Sequence, residues 1–176
     1  MNAQTPKRQL INPPHTQMFY DTFHYSQATR VVDMIWVSGQ VGIDAGMAPG
    51  KDIEEQAHLA FNGLKTILEA AGASLADVVE LMTFHTELQV DMQAFARVKD
   101  QYFPDRYPSW TAVGTTELAL PGLRVEIRAV AVAGCGDVFG IDMEEPHLVA
   151  EVVAERIARE QCAAGQVDAG DDLQAG

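Results

Sequence analysis

The segment DIEEQAHLAFNGLKTILEAAG, residues 52–72, does most to limit what this chain can become. Ile53, Ala57, Ala60, Phe61, Leu64, Ile67, Leu68 and Ala71 recur at the spacing of one helical face, which predicts an amphipathic helix. Asp52 with Glu55 three residues on resembles a capping box, and Gly72 provides a stop. Such a helix is stabilised mainly by packing its apolar stripe on another layer. The neighbouring sequence supplies one. MIWVSGQV, residues 34–41, has the composition of a buried strand closed by Ser-Gly, and IDAGMAPGK then breaks it. DVVELMTFHTEL, residues 77–88, reads as a strand rich in Val, Thr and Phe. A second helix is expected from about Asp91 to Phe103, with Phe95, Val98 and Tyr102 on one side and Pro104 and Pro108 beyond its end. Two strands near 109–118 and 123–133 follow, joined around Pro121-Gly122 as a hairpin. This order fits an α+β domain of two layers, with both helices packed on one face of a sheet.

The flanks read differently. Residues 1–16 are polar and spaced by Pro6, Pro13 and Pro14, which predicts an irregular arm before a domain at 17–134. Residues 135–176 read as a linker, a short amphipathic helix opening at Pro146, and an acidic flexible tail. Leu148, Val149, Val152, Val153 and Ile157 form a narrow stripe on that helix, which needs a surface to dock on.

The formal charge of −13 is uneven: residues 1–141 hold 16 acids and 10 bases, residues 142–176 hold 9 and 2. The folded part is therefore only mildly acidic, and no basic stripe suggests a nucleic-acid partner. Cys135 and Cys162 are the only cysteines, without C-x-x-C or metal-ligand spacing, so neither a disulfide framework nor a metal site is expected. Lys7 and Arg8 precede no apolar run, and no stretch approaches the length of a membrane span. A cytoplasmic protein without membrane attachment is the expectation.

Few residues stand out as chemistry. Glu126 lies between Val125 and Ile127, so it faces away from its apolar neighbours. That spacing fits a solvated face, or an ion-paired ladder with Arg124 and Arg128, as well as a carboxylate for general acid–base work. Ser38-Gly39 can mark a strand end or a place where a ligand meets backbone. Tyr25 in HYSQATR belongs with that group, while His85 and Trp110 fit packing roles as readily as functional ones.

Taken together, YSQATR, WVSGQVGID, DIEEQ…AFNGLKTILEAAGASLADVVE and TAVGTTELALPGLRVEIRAVAV resemble the RidA (YjgF) family of imine/enamine deaminases over roughly residues 15–133. The resemblance implies a chorismate-mutase-like fold with a mixed sheet, a homotrimer with ligand clefts between subunits, and hydrolysis of small reactive imines without metal or organic cofactor. Carried over, it makes Glu126 the catalytic residue that positions water, with Tyr25, Ser38, Gly39 and Trp110 as substrate-binding positions. The Gly-Pro before the family's Tyr is Phe23-His24 here. A larger departure falls at Pro108-Ser109-Trp110-Thr111, where the deaminating members read P-A-R-S with an Arg that grips the substrate carboxylate. A polar Asn of the second helix is replaced by Ala96 or Lys99. Losing a buried bidentate partner costs roughly 2–5 kcal/mol, so the expected substrate is a small imine, enamine or related C–N compound lacking that carboxylate. The rival expectations are a non-catalytic ligand-binding or stress-protective homotrimer, and an interaction module built on the C-terminal helix.

Overall fold

The computed structural model describes residues 7–136. Six strands form one sheet in the order β1-β2-β3-β6-β4-β5. They are β1 (Arg8–Ile11), β2 (Ala28–Val31), β3 (Met34–Val41), β4 (Val78–His85), β5 (Ser109–Gly114) and β6 (Val125–Val132). Only β4 and β5 run parallel; the other neighbours are antiparallel. The sheet is therefore mixed. A parallel pair cannot be joined by a tight turn, and α3 (Leu88–Tyr102) makes the crossover. The other helices are α1 (Gln17–Phe23) and α2 (Ile53–Ala70).

The α2 stripe is buried as its spacing predicts, with Ala57, Ala60, Phe61, Leu64 and Leu68 fully inaccessible. Asp52 caps the helix by accepting from Glu55 N–H at 2.9 Å, while the Glu55 carboxylate accepts from Lys51 N–H at 2.8 Å. Phe61 stacks on Phe95 of α3 and on Tyr102, at ring-centroid distances of 5.7 and 4.7 Å. Both helices cover the sheet face that carries Ile35, Val37, Leu81, Val125, Ile127, Ala129 and Ala131. Burying a side chain such as Phe61 contributes about 1.5–3 kcal/mol, so this layer is the main stabilising feature. Among the described residues no helix lies over the centre of the opposite face, where Met34 and Trp36 are exposed.

Several expectations change. Strands 109–114 and 125–132 do not form a hairpin: β4 lies between them, pairing antiparallel with β6 and parallel with β5. Residues 8–11 are not irregular but add an edge strand on β2; four residues with little alternation become a strand only because a partner edge is present. The α3 helix starts at Leu88, several residues earlier than its apolar spacing suggests. The expected linker lies mostly outside the described residues, as do the 146–160 helix and the acidic tail.

Asp77 ties down the end of the described chain. Its Oδ1 accepts from Gly136 N–H at 2.8 Å and its Oδ2 from Ser74 N–H at 2.8 Å. Burial pushes its carboxyl upward, but these donors outweigh it and hold the group below the usual aspartate value.

Candidate active site

The pairing of β3 with β6 is regular up to Val37, then shifts before Gln40. Ser38 and Gly39 occupy this irregularity, which explains a Ser-Gly within a strand. Gly39 is required here by space rather than by φ. A Cβ at this position would stand 2.6 Å from Cδ of Glu126 and 3.0 Å from its Cγ. The Glu126 carboxyl therefore rests on the bare backbone of Gly39. Ser38 acts as a buckle: its hydroxyl donates to Ser26 carbonyl at 2.7 Å, and its N–H donates to Gln27 carbonyl at 2.9 Å. These bonds hold the Tyr25–Gln27 segment against β3.

A cavity of about 410 Å³ opens above this floor, lined by Tyr25, Ser38, Gly39 and Glu126. Phe19 and Phe23 of α1 wall it, with Phe19 lying 6.4 Å from the Tyr25 ring. At the end of α1, His24 takes a left-handed conformation (φ 59°) that turns the chain toward Tyr25. Val41, Ile43, Met47, Ala119 and Leu120 complete a largely apolar lining. The loop carrying Ala119 and Leu120 is anchored by buried Gln56, which donates to Gly122 carbonyl at 3.0 Å and accepts from Arg124 N–H at 2.8 Å.

Among the described residues, no hydrogen bond or ion pair reaches the Glu126 carboxyl. Burial alone pushes it above the ordinary glutamate value, because a half-buried site disfavours the charged form. A carboxyl raised in this way changes charge closer to neutral pH and is suited to taking and returning a proton. The ladder with Arg124 does not form. Arg124 instead makes a fork onto Asp91 of α3, with Nε at 2.9 Å from Oδ2 and Nη2 against Oδ1, and it also reaches Glu87. Arg106 donates to Gly136 carbonyl at 2.9 Å. Both arginines are engaged away from the cavity.

Trp110 lies elsewhere. It pairs in register with Leu81, on the helix-covered face, whereas Glu126 pairs with Phe84 on the other face. Its Nε1–H donates to Thr83 Oγ1 at 3.1 Å, and its ring packs 6.0 Å from Phe95. The Lys99 ammonium sits 5.0 Å from the Trp110 ring and 5.6 Å from Tyr107, paired with Asp100 at 2.6 Å. Behind Trp110, His85 Nε2 shares a hydrogen bond with Thr83 Oγ1 at 2.9 Å. His85 is inaccessible, its Nδ1 has no partner among the described residues, and burial lowers its pKa to about 4. It is a neutral core residue, out of a ligand's reach.

Four of the five sequence-selected positions thus meet at one cavity, and Trp110 does not join them within the chain. Phe19, Phe23, Met47 and Leu120 were not anticipated. They lie in a short helix and in loops, where no periodicity marks a ligand wall. Among the described residues, no cluster of His, Cys, Asp or Glu could hold a metal ion, and no helix is long and apolar enough to cross a membrane.

Known proteins share this arrangement of chain. Residues 16–133 match the family described as Endoribonuclease L-PSP. The Escherichia coli RutC family protein YjgH is 36% identical over 126 residues, covering 71% of this chain and 95% of that protein. A 2-iminobutanoate/2-iminopropanoate deaminase of Dermatophagoides farinae is 33% identical over 131 residues, covering 73% of this chain and 98% of its own. Among solved structures, protein YjgH superposes with a TM-score of 0.66 at 36% identity, over 72% of this chain and 96% of that one. A Mycobacterium tuberculosis member of the YjgF/YER057c/UK114 family gives 0.64 at 31% identity, over 72% and 100%. The class is the chorismate-mutase-like α+β fold, a mixed sheet with two long helices on one face. Within it, the chain belongs to the YjgF/RidA (RutC, L-PSP) family.

Proposed function

We propose that this protein is a metal-independent, RidA-like hydrolase that deaminates a small reactive imine, enamine or related C–N compound in the cytoplasm. The observation that carries this reading is the Glu126 carboxyl, raised by burial and seated on Gly39 in a largely apolar cavity. In the reaction, Glu126 takes a proton from a water as its oxygen adds to the C=N carbon. The proton passes to nitrogen, and the carbinolamine collapses to a carbonyl compound and ammonia. The Gly39 backbone and the Tyr25 hydroxyl hold the polar atoms, and the aromatic wall excludes bulk water. Relatives named 2-iminobutanoate/2-iminopropanoate deaminase support the reaction class. The acidic chain argues against an RNA backbone as substrate.

The same reading makes the working unit a homotrimer. It draws support from the sheet face whose centre no described helix covers, which presents Met34, Trp36, Met82, Phe84 and Val113. On this reading Trp110, which lies on the face opposite Glu126, contributes to the Glu126 cavity of a second copy. There it brings an indole where deaminating relatives bring an Arg, and the Lys99 beside it is already paired with Asp100. Substrates without the usual carboxylate follow from this. Ammonia release from matched neutral and carboxylated imines tests the reading. Preference for the neutral compounds is expected, and Trp110→Arg should shift it toward the carboxylated ones. Equal turnover of both by the unaltered protein would refute the altered specificity, and no turnover of either would leave a ligand-binding protein.

A further inference from the structure

Two glutamines that stand outside the wall around Glu126, on an adjoining hollow that shares Tyr25 and Gly39 with it, decide which way the Tyr25 hydroxyl points. Gln40 Nε2 lies 3.1 Å from Ser38 carbonyl, 3.3 Å from Gly39 carbonyl and 3.1 Å from Gln27 Oε1. Carbonyl oxygens only accept, so the nitrogen end of the Gln40 amide must face them. Its oxygen end sits over Gly63 of α2, where a Cβ would approach to 3.0 Å. The Gln40 nitrogen has two hydrogens for these three oxygens and cannot accept, so whichever two it serves, Gln27 presents its oxygen to Gln40, and its Nε2 faces the Tyr25 hydroxyl at 3.3 Å. Gln27 is 4% exposed, so water does not compete for this amide. An amide nitrogen has no lone pair to offer. The Tyr25 oxygen therefore accepts from Gln27, and its own proton is turned away.

We infer that Gln40 and Gln27 are positioning residues that make Tyr25 a hydrogen-bond donor into the Glu126 cavity, toward the nitrogen or oxygen of the bound C–N compound. The inference rests on the hydrolase reading for its kinetic consequence, but not for the geometry. The cavity then holds a complementary pair: Glu126 handles the water proton, and the Tyr25 O–H stabilises charge developing on the substrate heteroatom. The chain of amides starts on the carbonyls of Ser38 and Gly39, so the irregularity that seats Glu126 also orients Tyr25.

Two measurements test it. Neutron diffraction from the deuterated, unliganded protein should place deuterons of Gln27 Nε2 toward Tyr25 and the Tyr25 deuteron away from Gln27. A Tyr25 deuteron directed at Gln27 overturns the inference whether or not the protein turns over any imine. In kinetics, Gln27→Met should lower kcat about 10–100-fold, with no further loss beyond twofold in a Tyr25→Phe background. Gln27→Glu should be worse than Gln27→Met, because a carboxylate pulls the Tyr25 proton out of the cavity although its shape is closer to Gln. A purely structural role predicts the reverse order and a Gln27→Met loss that persists without the Tyr25 hydroxyl. Either result overturns the proposal. A protein inactive on every imine would sink the hydrolase reading and leave the neutron map to decide the orientation.

Discussion

Replacing Gly39 by Ala separates the fold from the chemistry. The added methyl would lie 2.6 Å from Glu126 Cδ and 3.0 Å from Cγ, where carbon pairs settle at about 3.5–4.0 Å. Something must retreat by about 1 Å, and the Glu126 carboxyl is the end of a flexible side chain facing a cavity. A displaced rotamer costs about 0.5–1.5 kcal/mol. Against this, Ala for Gly restricts the unfolded chain and returns about 0.4–1 kcal/mol. The net change in stability is within about 1 kcal/mol, or roughly 2–4 °C in Tm for a chain of this size. Moving a catalytic group by 1 Å costs about 10²-fold in rate. Gly39→Ala should therefore melt within a few degrees of the unaltered protein, yet lose about 10²-fold in kcat/KM for ammonia release. Combined with Glu126→Ala, it should cost nothing further, since both remove the same carboxyl. Activity retained within threefold, or a loss of stability above about 3 kcal/mol, would refute the placement of Glu126 on Gly39.

Further outcomes follow from the same geometry. Because the folded protein raises the Glu126 pKa, its charge destabilises the fold as pH rises from the ordinary glutamate range through the raised value. Glu126→Gln should therefore gain stability relative to the unaltered protein over that interval and hold the gain above it, as read from melts at pH 4 and pH 8. Asp77 has the opposite sign: its lowered pKa stabilises the fold above the usual aspartate value and that contribution is lost in acid. Asp77→Asn should cost about 1–3 kcal/mol at neutral pH, with the difference shrinking as pH falls below 4, measured by urea unfolding. Arg124→Met leaves Asp91, which is 1% exposed, without its partner, and should cost roughly 3–5 kcal/mol. Its kcat/KM, measured well below the melting temperature, should stay within threefold.

The parts of the fold that depend on local pattern were legible. The β3 boundaries at 34 and 41 agree with the sequence reading, and α2 differs from it by a residue or two at each end. The chorismate-mutase-like arrangement followed from the resemblance rather than from periodicity. What local pattern does not carry is pairing between distant strands. Residues 109–114 and 125–132 have strand composition and a Pro-Gly turn between them, which suits a hairpin, but nothing local announces that β4 enters between them. The same gap hides the face of Trp110. Its side relative to Glu126 depends on both strands' registers with β4, not on the length of chain between the two residues. In contrast, Tyr25, Ser38, Gly39 and Glu126 lie in motifs whose order the resemblance supplied, and the structure brings them to one cavity. The glutamines of Tyr25-Ser26-Gln27 and Ser38-Gly39-Gln40 repeat one spacing. Their meaning appears only when the two segments are side by side.

The central claim is that the half-buried Glu126 carboxyl performs imine hydrolysis. Its most direct test is the rate of ammonia release from small imines by the unaltered protein and by Glu126→Gln, with melting curves for both. The account predicts clear acceleration over the uncatalysed rate, a fall of about 10²–10⁴-fold on substitution, and an intact fold. Equal turnover by Glu126→Gln, or no acceleration by the folded unaltered protein, would contradict it.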